Sequence, residues 1–134
     1  MKIRGLGNLS VAKTGEKMVE KKTDKTSLAL VWTTVSSSAT ADLLAGELIG
    51  SGLAACVQID GPIQSHYRWK DKIEVETEYR LLIKTRSELT DSVLDWLAQN
   101  HPYEQPELLV TPVTNSSAGY AQWVTAHTRD DTDN

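Results

Sequence analysis

The chain has 134 residues, enough for one domain with its own core, and its 40% hydrophobic and 24% charged content is ordinary for a globular protein. A net charge of −4 argues against nucleic acid as a partner, and the lone cysteine, Cys56, excludes an internal disulfide and points to a reducing compartment. No apolar run reaches the length of a membrane span or reads as a signal peptide, so the expectation is a cytoplasmic protein that engages no membrane.

Residues 1–26 carry seven basic residues against three acidic ones and few large apolar side chains, which predicts a disordered or loosely attached N-terminal extension. Residues 27–134 read as a single domain. Ser27 to Val35 is rich in β-formers and predicts a first, central strand. Ser36, Ser37 and Ser38 offer an N-cap, and Ala41, Leu44, Ala45 and Leu48 follow on one face of a helix that Gly50 and Gly52 stop. Leu53 to Asp60 predicts a second strand, broken at Gly61-Pro62 and resumed from Ile63 to Lys70. Asp71 marks the tip of a tight reversal. Ile73, Val75, Thr77, Tyr79, Leu81 and Ile83 then alternate with more polar residues in a long strand that runs to Arg86. Ser87 is the expected cap of a second helix, with Leu89, Val93, Trp96 and Leu97 on its apolar face.

The segment Asn100 to Glu107, Asn-His-Pro-Tyr-Glu-Gln-Pro-Glu, holds the densest chemistry. Pro102 restricts His101 to extended backbone and ends the helix there; Pro106 does the same to Gln105. The linker is therefore stiff, and it reads equally well as a rigid connector or as a platform for an imidazole, a phenol and carboxylates. Leu108 to Val113 predicts the last strand, and Tyr120, Trp123, Val124 and His127 a short C-terminal helix. The order β-α-β-β-α-β plus a small helix is the split βαβ, ferredoxin-like arrangement: an α+β fold with both main helices on one face of an antiparallel sheet.

Length sharpens this picture. The strand Ile73 to Arg86 spans roughly 46 Å at ~3.3 Å per residue, whereas the helix Ser87 to Asn100 spans about 21 Å at ~1.5 Å per residue. Half of the β-hairpin should overhang its cover, and that half contains Tyr67, Trp69, Ile73 and Val75. An isolated ribbon is marginal in water, so copies of the chain should cover one another in a closed homo-oligomer; the alternative is a hairpin that bends at Gly61-Pro62 and folds back on its own sheet.

Several separated motifs carry a family resemblance. Ala54-Ala55-Cys56-Val57 before the Gly-Pro break, Tyr67-x-Trp69-x-x-Lys72-Ile73 at the hairpin, Ile83-Lys84-Thr85-Arg86, His101-Pro102-Tyr103-Glu104 with Pro106-Glu107, and Tyr120-x-x-Trp123 occur in order over about residues 27–127. Together they resemble the CutA divalent-cation tolerance family. The resemblance implies a ferredoxin-like homotrimer whose long strands pair between subunits, and a cytoplasmic role in tolerance of copper and other divalent metals. It also implies a fold shared with PII-like signalling trimers. Trp32 and Asn100 stand where some members have cysteine and histidine, so a copper site built from those positions is not expected here. Asp71 replaces the usual turn glycine.

Three chemistries follow for the candidate residues. His101 is the leading metal ligand, with Glu104, Cys56 or a residue of another subunit as the further donors that a copper or other divalent site would need. Within an apolar strand, Cys56 reads first as a buried structural thiol and only second as a ligand. The second is an inter-subunit cleft lined by Tyr67, Trp69, Lys84 and Tyr103 that binds a small anionic ligand, with Lys84 supplying the charge. The third, Cys56 as nucleophile with His101 as base, lacks an oxyanion-hole signature and an orienting third residue, so no catalysis and no obligatory cofactor are expected.

Overall fold

A computed structural model describes residues 27–130 in the order β1 (Leu28–Val35), α1 (Ser38–Gly50), β2 (Cys56–Trp69), β3 (Lys72–Arg86), α2 (Thr90–Asn100), β4 (Leu109–Pro112) and α3 (Ala118–Ala126). The expected disorder of residues 1–26 falls outside the described residues. The four strands form one antiparallel sheet in the order β2-β3-β1-β4, the ferredoxin-like topology expected from the sequence.

The apolar spacing decides which side of the sheet the helices cover. Val31 and Val35 of β1 lie on one face of the strand and, with Leu81 and Ile83 of β3, face Ala41, Leu44 and Leu48 of α1 and Val93 and Leu97 of α2 in one buried cluster. Ser37 caps α1 by accepting from the backbone N–H of Thr40 at 3.1 Å. Ser87 does not cap α2. A 3-10 turn, Ser87–Leu89, precedes that helix, and the Ser87 hydroxyl donates instead to the Leu28 carbonyl at 3.2 Å. The C-terminal helix α3 packs on the opposite face, where Ala121 and Val124 bury Leu28, a β1 position of the other parity.

The β2–β3 hairpin is longer than the rest of the sheet. Pairing of β1 with β3 stops at Val35↔Tyr79, whereas β2 and β3 stay paired out to Trp69↔Lys72. Residues 72–78 of β3 therefore project as a two-stranded ribbon for roughly 23 Å at ~3.3 Å per residue. The break expected at Gly61-Pro62 is a bulge inside one continuous strand, with the register shifting between Asp60 and Ile63. The ribbon turns through Lys70 and Asp71, both in left-handed backbone (φ 49° and 67°), so the reversal forms without the glycine. Along it Ile73 is 70% exposed and Val75 50%, and Tyr67 and Trp69 are exposed too. Leu109 and Val110, on the edge strand β4, are likewise uncovered.

Candidate functional site

The His-Pro-Tyr linker leaves α2 and crosses the ribbon beyond the end of β1. His101 is the C-cap of α2, with extended backbone (φ −79°, ψ 136°) and its N–H bonded to the Leu97 carbonyl, as the following proline requires. The residue is 9% exposed and its ring is engaged at both nitrogens. Nε2 lies 2.9 Å from the Thr34 carbonyl, and Nδ1 lies 3.1 Å from the Tyr103 backbone N–H. These partners assign the neutral tautomer with the proton on Nε2, donating to Thr34, and Nδ1 accepting from Tyr103. Burial pushes the imidazole pKa down, against opposing contributions from the Thr34 hydrogen bond and the nearby Glu78 charge.

The tilted stack of His101 on Tyr103, with ring centroids 4.8 Å apart, aims the Tyr103 phenol at Glu78 of β3. Tyr103 donates to Glu78 Oε2 at 2.7 Å, and Ser65, from the facing strand β2, donates to Oε1 at 2.6 Å. Glu78 is 7% exposed, and no cation contacts it among the described residues. Burial, reinforced by the hydrogen bond to the Glu78 carboxylate, drives the Tyr103 phenol well above its ordinary range. Glu78 is the residue that sequence reasoning missed. It reads as one of three alternating glutamates on a solvated strand, and only the tertiary meeting with Tyr103 and Ser65 sets it apart from Glu74 and Glu76.

Around this buried carboxylate lies a cleft of about 820 Å³ between linker and ribbon. Tyr67, Trp69 and Tyr103 line it together with Glu76, Glu78, Glu104 and Glu107, and its lining includes His66 but no lysine or arginine. The Tyr67 phenol pKa is raised, first by local desolvation and then by Glu76, Glu74 and Glu78.

The candidate residues therefore divide. Tyr67, Trp69, Tyr103 and Glu104 meet in one subunit. Lys84 does not join them: it pairs with Cys56 near the other end of β3, six residues from Glu78 or about 20 Å at ~3.3 Å per residue. Its ammonium lies 5.9 Å from the Tyr120 ring centroid. Within one chain the lining is acidic and lacks Lys84, an arrangement that does not favour a small anionic ligand, because carboxylates repel it. The expected metal set of His101, Glu104 and Cys56 is not assembled either. Cys56 is buried in β2 beside Lys84, both His101 nitrogens are taken, and among the described residues no three His, Cys, Asp or Glu side chains converge on a common point. The residues present thus form no ready-made copper centre within one chain.

Comparison with known proteins gives consistent results. The family model described as "CutA1 divalent ion tolerance protein" matches residues 29–127. The divalent-cation tolerance protein CutA of Escherichia coli (strain K12 / DH10B) is 36% identical over 112 residues, which is 84% of this chain and 100% of that protein. Among solved structures, CutA from Synechococcus elongatus PCC7942 is 44% identical with a TM-score of 0.72, over 75% of this chain and 89% of that one. CutA1 from Oryza sativa is 35% identical with a TM-score of 0.75, over 78% and 95% respectively.

Proposed function

The chain belongs to the CutA1 divalent ion tolerance family, and on that premise we propose that it is a non-catalytic cytoplasmic homotrimer that acts in the response to divalent metal ions, copper among them. The observation that carries this reading is the overhanging ribbon. Its exposed Tyr67, Trp69, Ile73 and Val75, and the uncovered edge of β4, are the surfaces that sister subunits would cover to complete each other's sheets. The acidic cleft gives the assembly its attraction for cations. Metal is held weakly there: one or two carboxylates such as Glu104 supply oxygen while the ion keeps most of its water. His101 and Cys56 serve structure. The Cys56–His101 pair lends no support to an enzymatic role, since Cys56 lies in β2 beside Lys84 and His101 caps α2 against Thr34.

Copper challenge of cells lacking this protein tests the reading. Wild-type protein should restore growth, and an Ile73→Asp/Val75→Asp variant that cannot assemble should not. Full rescue by a variant shown to be monomeric would overturn it. In solution, copper titration should give weak binding that Glu104→Gln/Glu107→Gln diminishes and His101→Ala leaves unchanged.

A further inference from the structure

The β2–β3 ribbon has two unlike sides, and the strand register sorts them. Residues directly opposite one another in an antiparallel pair project to the same side. Tyr67↔Glu74, Ser65↔Glu76 and Ile63↔Glu78 therefore share the side from which Tyr67, Glu76 and Glu78 line the cleft. Arg68↔Ile73 and the next position on that side, Val75, belong to the other. The cleft side is acidic and aromatic: Glu76, Tyr67 and Trp69 line the same space as Glu104 and Glu107 of the linker. Lys72, opposite Trp69, is a cation of this side but stands outside the lining. The far side is apolar and basic. Ile73 and Val75 are exposed there, and Arg68 is exposed and makes no ion pair among the described residues. Neither side matches itself. A two-fold contact between far sides would bring Arg68 toward Arg68, and one between cleft sides would bring glutamate toward glutamate. The far side of one copy and the cleft of another are complementary in both charge and polarity.

We propose that the far side of one subunit's ribbon seats in the cleft of the next, with Ile73 and Val75 against Tyr67 and Trp69 and with Arg68 beside Glu104 and Glu107. This rests on the assembly reading above and goes further. The cleft becomes a socket completed by a neighbouring copy, whose Arg68 is the cation that the lining lacks within one chain. The contact is head to tail, so each copy gives one surface and receives one, and the copies close into a ring. The space of about 820 Å³ has room for the inserted side chains. One guanidinium against the carboxylates of Glu76, Glu78, Glu104 and Glu107 leaves the socket acidic, so its weak attraction for metal ions persists in the assembly.

The test is a charge swap in the full chain, read by sedimentation equilibrium over a range of protomer concentrations, at low ionic strength and in the urea concentration that half-dissociates the wild type. Arg68→Glu sets a carboxylate against the neighbour's carboxylates and should weaken assembly about tenfold or more. Glu104→Arg/Glu107→Arg, at two exposed positions, sets guanidinium groups against Arg68 and should do the same. The three changes combined in one chain should restore assembly to within about threefold of wild type, because every copy then offers the reversed pair. Added salt should narrow the differences among all four proteins. Restoration in the combined variant supports the proposal, since a folding defect in either parent would not be repaired by adding the other. Assembly that Arg68→Glu leaves as strong as in wild type overturns it. So does a combined variant that assembles no better than its parents. Either of those results, with the wild type still a trimer, removes the ribbon-in-cleft contact and leaves the assembly reading standing; a monomeric wild type removes both.

Discussion

Removing the His101 ring separates a structural role from a metal-ligand role. In His101→Ala the Thr34 carbonyl and the Tyr103 N–H both lose their partner, and Tyr103 loses the ring against which it stacks. Two buried hydrogen bonds of about 1 kcal/mol each, together with the cost of leaving their partners unmet, come to about 2–4 kcal/mol. The imidazole pKa is lowered from its ordinary 6.5 by burial, so the unfolded chain takes up the proton first as pH falls. The histidine's contribution to stability is therefore complete above pH ~6.5 and declines as pH drops below it. Protonation would also place a hydrogen on Nδ1 against the Tyr103 donor. Urea unfolding at one fixed protomer concentration, at pH 7.5 and at pH 5.5, measures both effects. The variant should be less stable by the stated amount at pH 7.5, and the difference from wild type should shrink at pH 5.5. Copper affinity should not change. Equal stability of the two proteins at pH 7.5, or a loss of copper binding with stability intact, would refute the structural assignment.

Other substitutions probe the remaining elements. Tyr103→Phe removes the phenol that donates to the buried Glu78 carboxylate and should cost about 1.5–3 kcal/mol in the same unfolding assay. Gly61→Ala would place a Cβ 2.6 Å from the Tyr79 ring and 3.0 Å from the Glu78 carbonyl, at φ +155°; a loss of at least about 2 kcal/mol is expected, and a neutral result would mean the bulge has another shape. Cys56, buried in β2, should resist alkylation by iodoacetamide in the folded protein and react on unfolding; rapid modification of the folded state would contradict its packing.

The architecture was legible because its signals are local and periodic. The spacing of Ala41, Leu44 and Leu48, the alternation of Leu81 and Ile83, and the two prolines of the linker each fix an element by short-range physics, and the structure follows them. Where signals conflicted, tertiary contacts decided. Ser87 reads as a helix cap, but the Leu28 carbonyl claims its hydroxyl. Gly61-Pro62 reads as a strand break, but pairing with β3 carries the strand through it as a bulge. The site was less readable for the same reason. Tyr103 and Glu104 stand out in the sequence, whereas Glu78 looks like its solvated neighbours until the linker folds over it. Lys84 and Tyr67 lie on the same hairpin, yet nothing short of the strand register shows how far apart they are. A lone histidine before a proline looks like a metal ligand until its two nitrogens are traced to Thr34 and Tyr103.

Tyr67, Trp69, Ile73 and Val75 sit on a ribbon that its own subunit leaves exposed, which makes assembly the central claim. Sedimentation equilibrium of the full chain at micromolar concentration tests it most directly. A single species at three times the 14.8 kDa chain mass, reduced to the chain mass by Ile73→Asp/Val75→Asp, is the expected result. A well-folded wild-type monomer at that concentration would contradict the account.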